Sequence, residues 1–236
     1  MAHTFVLAHG AWHGGWCWRR VADRLRRDGH AVFTPTLTGL GERSHLLQPG
    51  IDLTTHVADI VNLMRWERLS DVVLCGHSYG GFVISGVAEE MSTVIRSIVF
   101  LDAFVPENGD TTLKLISRPA LQDAIRAALQ RGDLVVPPPP AEGFGVNEAD
   151  RQWVDDFCVP QPIATFTSPI ALSGARENIA RKTYIRAKGY TNQGFDRALA
   201  TVQADPSWRC YEVPCGHDVM VDMPERLTEL LLQAAA

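Results

Sequence analysis

Residues Gly76 to Gly80 read G-H-S-Y-G, and this serine with a glycine two positions to either side constrains the chain more than any other stretch. A serine in such spacing sits on a sharp, strained turn from a strand into a helix, and the small flanking residues keep that turn free of clashes. The pattern alone arises by chance in roughly one chain in ten of this length, so its surroundings decide its meaning. Before it, Asp71 to Cys75 (D-V-V-L-C) is a short apolar, β-branched run, and after it Gly81 to Met91 continues with helical character. Strand, turn and helix are therefore all present, and Ser78 is the candidate nucleophile.

The same alternation runs along the rest of the chain. Strands are expected at Thr4–Ala8, Ala31–Leu37, Ser97–Leu101, Lys182–Ala187 and Arg209–Val213. Helices are expected after His9–Gly15, through His56–Leu69, near Phe195–Gln203 and over Pro224–Leu232. Strands alternating with helices of this length imply right-handed crossovers and an α/β fold, a mostly parallel sheet with helices on both faces. Between Pro106 and about Ala180 the rhythm breaks at the prolines 137–140, 160, 162 and 169, with Phe144, Trp153, Phe157 and Phe166 interspersed. This segment, 106–180, reads as an inserted cap on a core formed by 1–105 and 181–236, which is one globular unit for a chain of 236 residues.

Charge and cysteines narrow the function classes. The net charge is −5, and the early arginines (Arg19, Arg20, Arg24, Arg26, Arg27) read as a solvated helix face, so nucleic acid is not an expected partner. The five cysteines have no zinc-site or disulfide spacing and read as free thiols in a reducing compartment. No signal peptide is visible at the start, and no apolar run approaches the roughly 20 residues that span a bilayer. A cytoplasmic chain without membrane, metal or cofactor is expected, and the sequence leaves a homodimer open. The pair Gly39 and Gly41 lacks the third glycine and the helix of a dinucleotide fingerprint.

A serine hydroxyl is a weak nucleophile near neutrality and needs a base, with an acid behind that base to orient it. His217, in the P-C-G-H-D loop after the strand Arg209–Val213, is the candidate base. His9, His13 and His77 fall in turns beside the proposed site and receive no proton-transfer role. An oxyanion hole needs backbone N–H groups from the residue after the nucleophile and from the early loop, for which Tyr79 and Ala11 are the candidates.

Four stretches, H-G-A-W-H-G-G-W (9–16), G-H-S-Y-G-G, F-L-D-A-F-V-P-E (100–107) and G-H-D near the end, resemble the plant methylesterase and hydroxynitrile-lyase branch of the α/β-hydrolases. The resemblance covers nearly all of the chain outside the cap. It extends to bacterial ester and benzimidazole-carbamate hydrolases through P-T-L-T-G-L-G-E-R-S-H-L (35–46). It implies the α/β-hydrolase fold with a helical cap inserted after the sixth strand, and a serine hydrolase acting on a small molecule.

Two departures from that branch matter. Its lyases use a threonine beside the oxyanion loop and a lysine after the catalytic histidine, and the matching positions are Gly10 and Asp218. In the plant enzymes the triad acid follows the strand equivalent to Lys182–Ala187, where matching puts Tyr190. Asp102, leaving the strand after the elbow, can still reach the histidine, as in the relocated acid of certain haloalkane dehalogenases. Asp196 and Asp205 stand as alternatives. The expected reaction is cleavage of a small, largely apolar or aromatic carboxylic ester through an acyl-enzyme, with Trp12, Phe104 and Trp153 as substrate contacts. Carbamate or amide hydrolysis by the same triad is the alternative, and a non-catalytic receptor on a hydrolase fold is a further one.

Overall fold

The computed structural model describes residues 2–236. In chain order it forms β1 (Thr4–Ala8), α1 (Arg19–Arg27), β2 (Ala31–Phe33), α2 (Leu53–Trp66), β3 (Val72–His77), α3 (Gly80–Met91) and β4 (Ile95–Leu101). An insertion follows with α4 (Thr112–Leu115), α5 (Pro119–Arg131), β5 (Val135–Val136), α6 (Arg151–Phe157), β6 (Gln161–Pro162) and α7 (Ala164–Thr167). The chain returns through β7 (Arg181–Ala187), α8 (Gln193–Gln203), β8 (Trp208–Val213), α9 (Val219–Asp222) and α10 (Pro224–Ala235).

Six strands make one parallel sheet in the order β2-β1-β3-β4-β7-β8, while β5 and β6 pair antiparallel as a separate two-stranded ribbon. The insertion follows the fourth strand of this chain, not the sixth. Along β3 every residue is buried, which is why V-V-L-C reads as a continuous apolar run and not as an alternating one. Helix α2 starts on a capping box, with the Asp52 carboxylate accepting from the Thr55 N–H at 3.0 Å. It buries Val57, Ile60, Val61 and Met64 on one face.

The register sets up the site. Ala8 lies opposite Gly76, His77 opposite Leu101, Leu101 opposite Ile185, and Ala187 opposite Val213. The residues that follow β1, β3, β4, β7 and β8 therefore emerge side by side at the carboxyl edge of the sheet, where parallel α/β sheets carry their ligands. The insertion is tied to this edge by backbone bonds. Val159 N–H donates to the Trp12 carbonyl at 2.9 Å, and His217 N–H donates to the Phe144 carbonyl at 2.8 Å.

Helix α3 enters the sheet edge so closely that a Cβ on Gly81 would stand 2.0 Å from the Phe104 carbonyl oxygen. Gly29, by contrast, ends the α1 turn at φ +85° with nothing near its missing side chain. We expect Gly81→Ala to cost about 3 kcal/mol through overpacking against backbone. Gly29→Ala should cost about 1 kcal/mol, through its left-handed φ alone. Urea unfolding of the two variants checks the ranking.

Candidate active site

Ser78 occupies the left-handed region at φ +55°. Its neighbours have to be glycine for steric reasons: a Cβ on Gly76 would meet the Gly80 carbonyl oxygen at 2.5 Å, and one on Gly80 would meet the carbonyl oxygens of Ala8 and His9 at 2.9 Å. The turn is locked by the Ser78 N–H donating to the Leu101 carbonyl at 3.2 Å and by the Ser78 carbonyl accepting from Gly81 and Phe104. The motif's spacing thus follows from a β1 loop and a helix start that both press on the same turn.

One strand over, Asp102 is also left-handed, at φ +41°, and is fully buried. Its Oδ2 accepts from His217 Nδ1 at 2.6 Å, and its Oδ1 accepts from Arg186 Nη1 at 2.7 Å and from the Ala187 N–H at 3.0 Å. Arg186 is itself buried at the end of β7. Its Nη2 donates to the carbonyls of Tyr190 at 2.8 Å and Asn192 at 3.4 Å, and Nη1 also donates to the Ala187 carbonyl. Of the three candidate acids, Asp102 is the one bonded to His217. Asp196 is half exposed and accepts from Arg186 Nε at 3.0 Å, while Asp205 caps the Ser207 N–H at 2.9 Å. Tyr190 and Phe195 stack on the His217 imidazole, with ring centroids 4.6 and 5.4 Å away. The residue in the customary acid position is therefore a packing surface for the histidine.

With Nδ1 committed to Asp102, His217 Nε2 has no hydrogen-bond partner among the described residues, and the ring lines a cavity together with Ser78. Gly10 abuts the elbow, since a Cβ there would lie 2.9 Å from Ser78 Cβ. Among the described residues, the N–H groups of Ala11 and Tyr79, the two expected oxyanion donors, have no backbone acceptor. Both line the cavity.

Buried histidines set this loop. His9 donates from Nδ1 to the Gly10 carbonyl at 2.8 Å and accepts from the Leu37 N–H at 3.0 Å, and burial brings its pKa down to about 3. His13 donates from Nδ1 to the Ala11 carbonyl at 2.8 Å and from Nε2 to Asp218 Oδ2 at 3.0 Å. Burial opposes a charge on His13, but Cys158 and Asp218 more than offset it, and its pKa is raised well above the usual imidazole value. Asp218 is correspondingly lowered to about 2 by His13 and the neighbouring imidazoles, against its own burial. His77 donates from Nε2 to the His217 carbonyl at 3.0 Å, and burial, then its neighbour His217, holds it well below the usual value.

The cavity and its open mouth together take in about 480 Å³ of space not filled by protein atoms. Trp12 and Phe104 line it, with Ile116, Leu121, Phe144 and Phe166. Trp12, at φ +66°, is fixed by N–H bonds to Gln161 Oε1 at 2.9 Å and from its indole to the Val136 carbonyl at 3.0 Å. Trp153 is the exception and corrects the expectation. On α6 it is Val154 that turns into the core, so Trp153 packs outward against Trp16, 5.3 Å away, and under the Arg20 guanidinium at 5.0 Å.

Sequence reasoning passed over Arg186 and Arg118. A charged residue interrupting the apolar end of K-T-Y-I-R-A was the available signal for the first. Arg118, between helical stretches of the insertion, carried none.

Residues 5–230 match the model of the Alpha/beta hydrolase family. The chain belongs to this family. A carbendazim hydrolyzing esterase of Nocardioides sp. (strain SG-4G) is 45% identical over 237 residues, spanning 97% of this hydrolase and 98% of its own length. The putative chloroplastic methylesterase 11 of Arabidopsis thaliana is 34% identical over 255 residues, spanning 98% of this chain but 63% of its own. Among solved structures, an extracellular α/β-hydrolase from a Paenibacillus species superposes with a TM-score of 0.85 at 24% identity, covering 98% of each chain. Those matches put the hydrolase in the methylesterase-like branch. None of the helices among its described residues is long and apolar enough to cross a membrane.

The elbow is also braced from the Tyr79 side. The Tyr79 hydroxyl donates to His56 Nδ1 at 3.0 Å, while His56 Nε2 donates to the Thr38 carbonyl at 2.9 Å. Burial lowers the His56 pKa to about 4 in the folded hydrolase. The unfolded chain takes up this proton near pH 6.5, so the group costs stability as pH falls from about 6.5 toward 4, by up to about 1.4 kcal/mol per pH unit. Urea unfolding at pH 7, 6 and 5 should show His56→Gln with a shallower acid slope than the wild type. An equal slope would contradict a neutral, buried His56.

Proposed function

We propose that this protein is a cofactor-free serine hydrolase in which Ser78, His217 and Asp102 act as nucleophile, base and orienting acid. Ser78 Oγ attacks the acyl carbonyl while its proton passes to His217 Nε2. Asp102 holds Nδ1–H, fixing the tautomer and stabilising the imidazolium. The N–H groups of Ala11 and Tyr79 receive the developing oxyanion, each contributing about 3 kcal/mol to the transition state. His217 returns the proton to the departing alcohol, and water then enters by the reverse sequence and frees the acid. The observation that carries this reading is the 2.6 Å bond from His217 to a fully buried carboxylate, beside a strained serine in the same cavity.

The substrate we assign is a small ester with an apolar or aromatic body, bound under 106–180 acting as a cap on the core of 1–105 and 181–236. Trp12 and Phe104 are its contacts, and both ester and aryl groups suit their faces. Carbamate cleavage is the second reading, favoured by the full-length likeness to a carbendazim hydrolyzing esterase. The acyl chemistry is the same, with nitrogen in place of carbon beside the carbonyl. Cyanohydrin cleavage is disfavoured, because Gly10 brings no hydroxyl and the Asp218 carboxylate is spent on His13. Five free thiols are consistent with work in the cytoplasm.

Two measurements test this function. Ser78→Ala should lose about 10⁶-fold in turnover of aryl esters, and a variant that still hydrolyses them would contradict the mechanism. Asp102→Asn should lose on the order of 10⁴-fold, while Asp196→Asn should keep most activity. The opposite ranking would reassign the acid. A panel of methyl esters, aryl esters, carbendazim and mandelonitrile separates the ester reading from the carbamate one.

A further inference from the structure

Apart from Ser78 and His217, the polar side chains on the cavity wall are mostly spent on the protein. Thr112 donates to the Thr165 carbonyl, and Asn192 Oδ1 caps α8 through the N–H groups of Gly194 and Phe195. Arg118 differs. It stands just before α5 on the cap, half-buried, and lines the cavity beside Ile116, Leu121 and Phe144. Its Nη1 donates to the Tyr190 hydroxyl at 2.9 Å and to the Gly143 carbonyl at 3.3 Å. A guanidinium carries five N–H donors, two of them on Nη1, so among the described residues Nε and Nη2 have no acceptor. These two nitrogens form the side-on fork that matches a carboxylate in bidentate fashion.

No carboxylate among the described residues pairs with Arg118. Glu142, on the same turn as Gly143, is taken by Arg151 at 3.2 Å. The position of the cation relative to the chemistry is set by one aromatic ring. Tyr190 stacks on His217 with its ring centroid 4.6 Å away, and its hydroxyl end holds Arg118. A ligand lying along Tyr190 would therefore reach from the reacting centre to the guanidinium. Apolar walls strengthen such a contact, since a charge pair gains as water is excluded.

We infer that Arg118 is a substrate-recognition residue, and that the favoured substrates are esters whose far end carries a carboxylate or an equivalent oxygen acceptor. This rests on the ester-hydrolase reading above and narrows it: the body of the substrate is apolar, and its end is anionic. Arg118 orients the ester by its tail, so that the carbonyl meets Ser78.

The test compares p-nitrophenyl valerate with p-nitrophenyl hydrogen glutarate, which differ by a terminal methyl in place of a terminal carboxylate. Hydrogen bonds to a charged group are worth roughly 10- to 100-fold. The ratio of kcat/KM for glutarate over valerate should fall by about 30-fold in Arg118→Met, and Arg118→Lys, a cation without the fork, should fall between. Using the ratio cancels any loss of folded enzyme. A ratio unchanged in Arg118→Met would overturn the inference. Calorimetry gives an independent reading. The Ser78→Ala protein should bind the hydrogen glutarate ester measurably, and Ser78→Ala with Arg118→Met should bind it about 30-fold more weakly. Equal binding by both would again overturn the role of Arg118. Continued hydrolysis by Ser78→Ala would instead bring down the ester-hydrolase reading, and the kcat/KM ratio would still judge Arg118.

Discussion

A carboxylate with no solvent access, Asp102, is the constraint around which the carboxyl edge of the sheet is built. Left unpaired, such a charge would cost several kcal/mol, and it persists because every direction around it is answered by a donor. His217 takes one oxygen, and Arg186 with the Ala187 N–H takes the other. Arg186 then spends its Nη2 donors on the carbonyls of Tyr190 and Asn192, in the loop after β7. The loop that carries the acid in the resembling plant enzymes here anchors a cation instead. A buried carboxylate after β4 and a buried arginine at the end of β7 are two parts of one arrangement, and Tyr190 stacks on the histidine.

The local parts of this fold were legible in the sequence because they depend on near neighbours. The elbow was readable because G-x-S-x-G encodes a steric requirement, and the contacts that a Cβ would make at Gly76 and Gly80 are that requirement seen in space. Strand and helix positions followed from apolar periodicity, with boundaries off by a residue or a few, as at β2, which ends at Phe33. What depends on distant contacts was less legible. The choice among Asp102, Asp196 and Asp205 needed the parallel register that puts Leu101 beside Ile185. Trp12 and Trp153 look equally suited to a cavity as residue types, and only the orientation of α6 separates them. Arg118 gains its meaning from Tyr190, which lies 72 residues further along the chain.

The histidine loop is held to its neighbours by buried polar contacts. The Asp218 carboxylate faces His13, His13 in turn holds the Ala11 carbonyl, and His77 holds the carbonyl of His217. The early loop and the histidine loop, more than 200 residues apart, are thereby joined through one buried pair. Asp218 is thus tied through His13 into the support of the early loop that holds Ala11. The same contacts that fix the loop leave Ala11 N–H unspent, which is what a preorganised oxyanion site requires.

The most direct measurement is a crystal structure of the protein after reaction with an aryl organophosphonate. The account predicts phosphorus bonded to Ser78 Oγ, the phosphoryl oxygen between the N–H groups of Ala11 and Tyr79, and His217 still joined to Asp102. An adduct on another residue, a phosphoryl oxygen turned away from both N–H groups, or His217 bonded to Asp196 would contradict it.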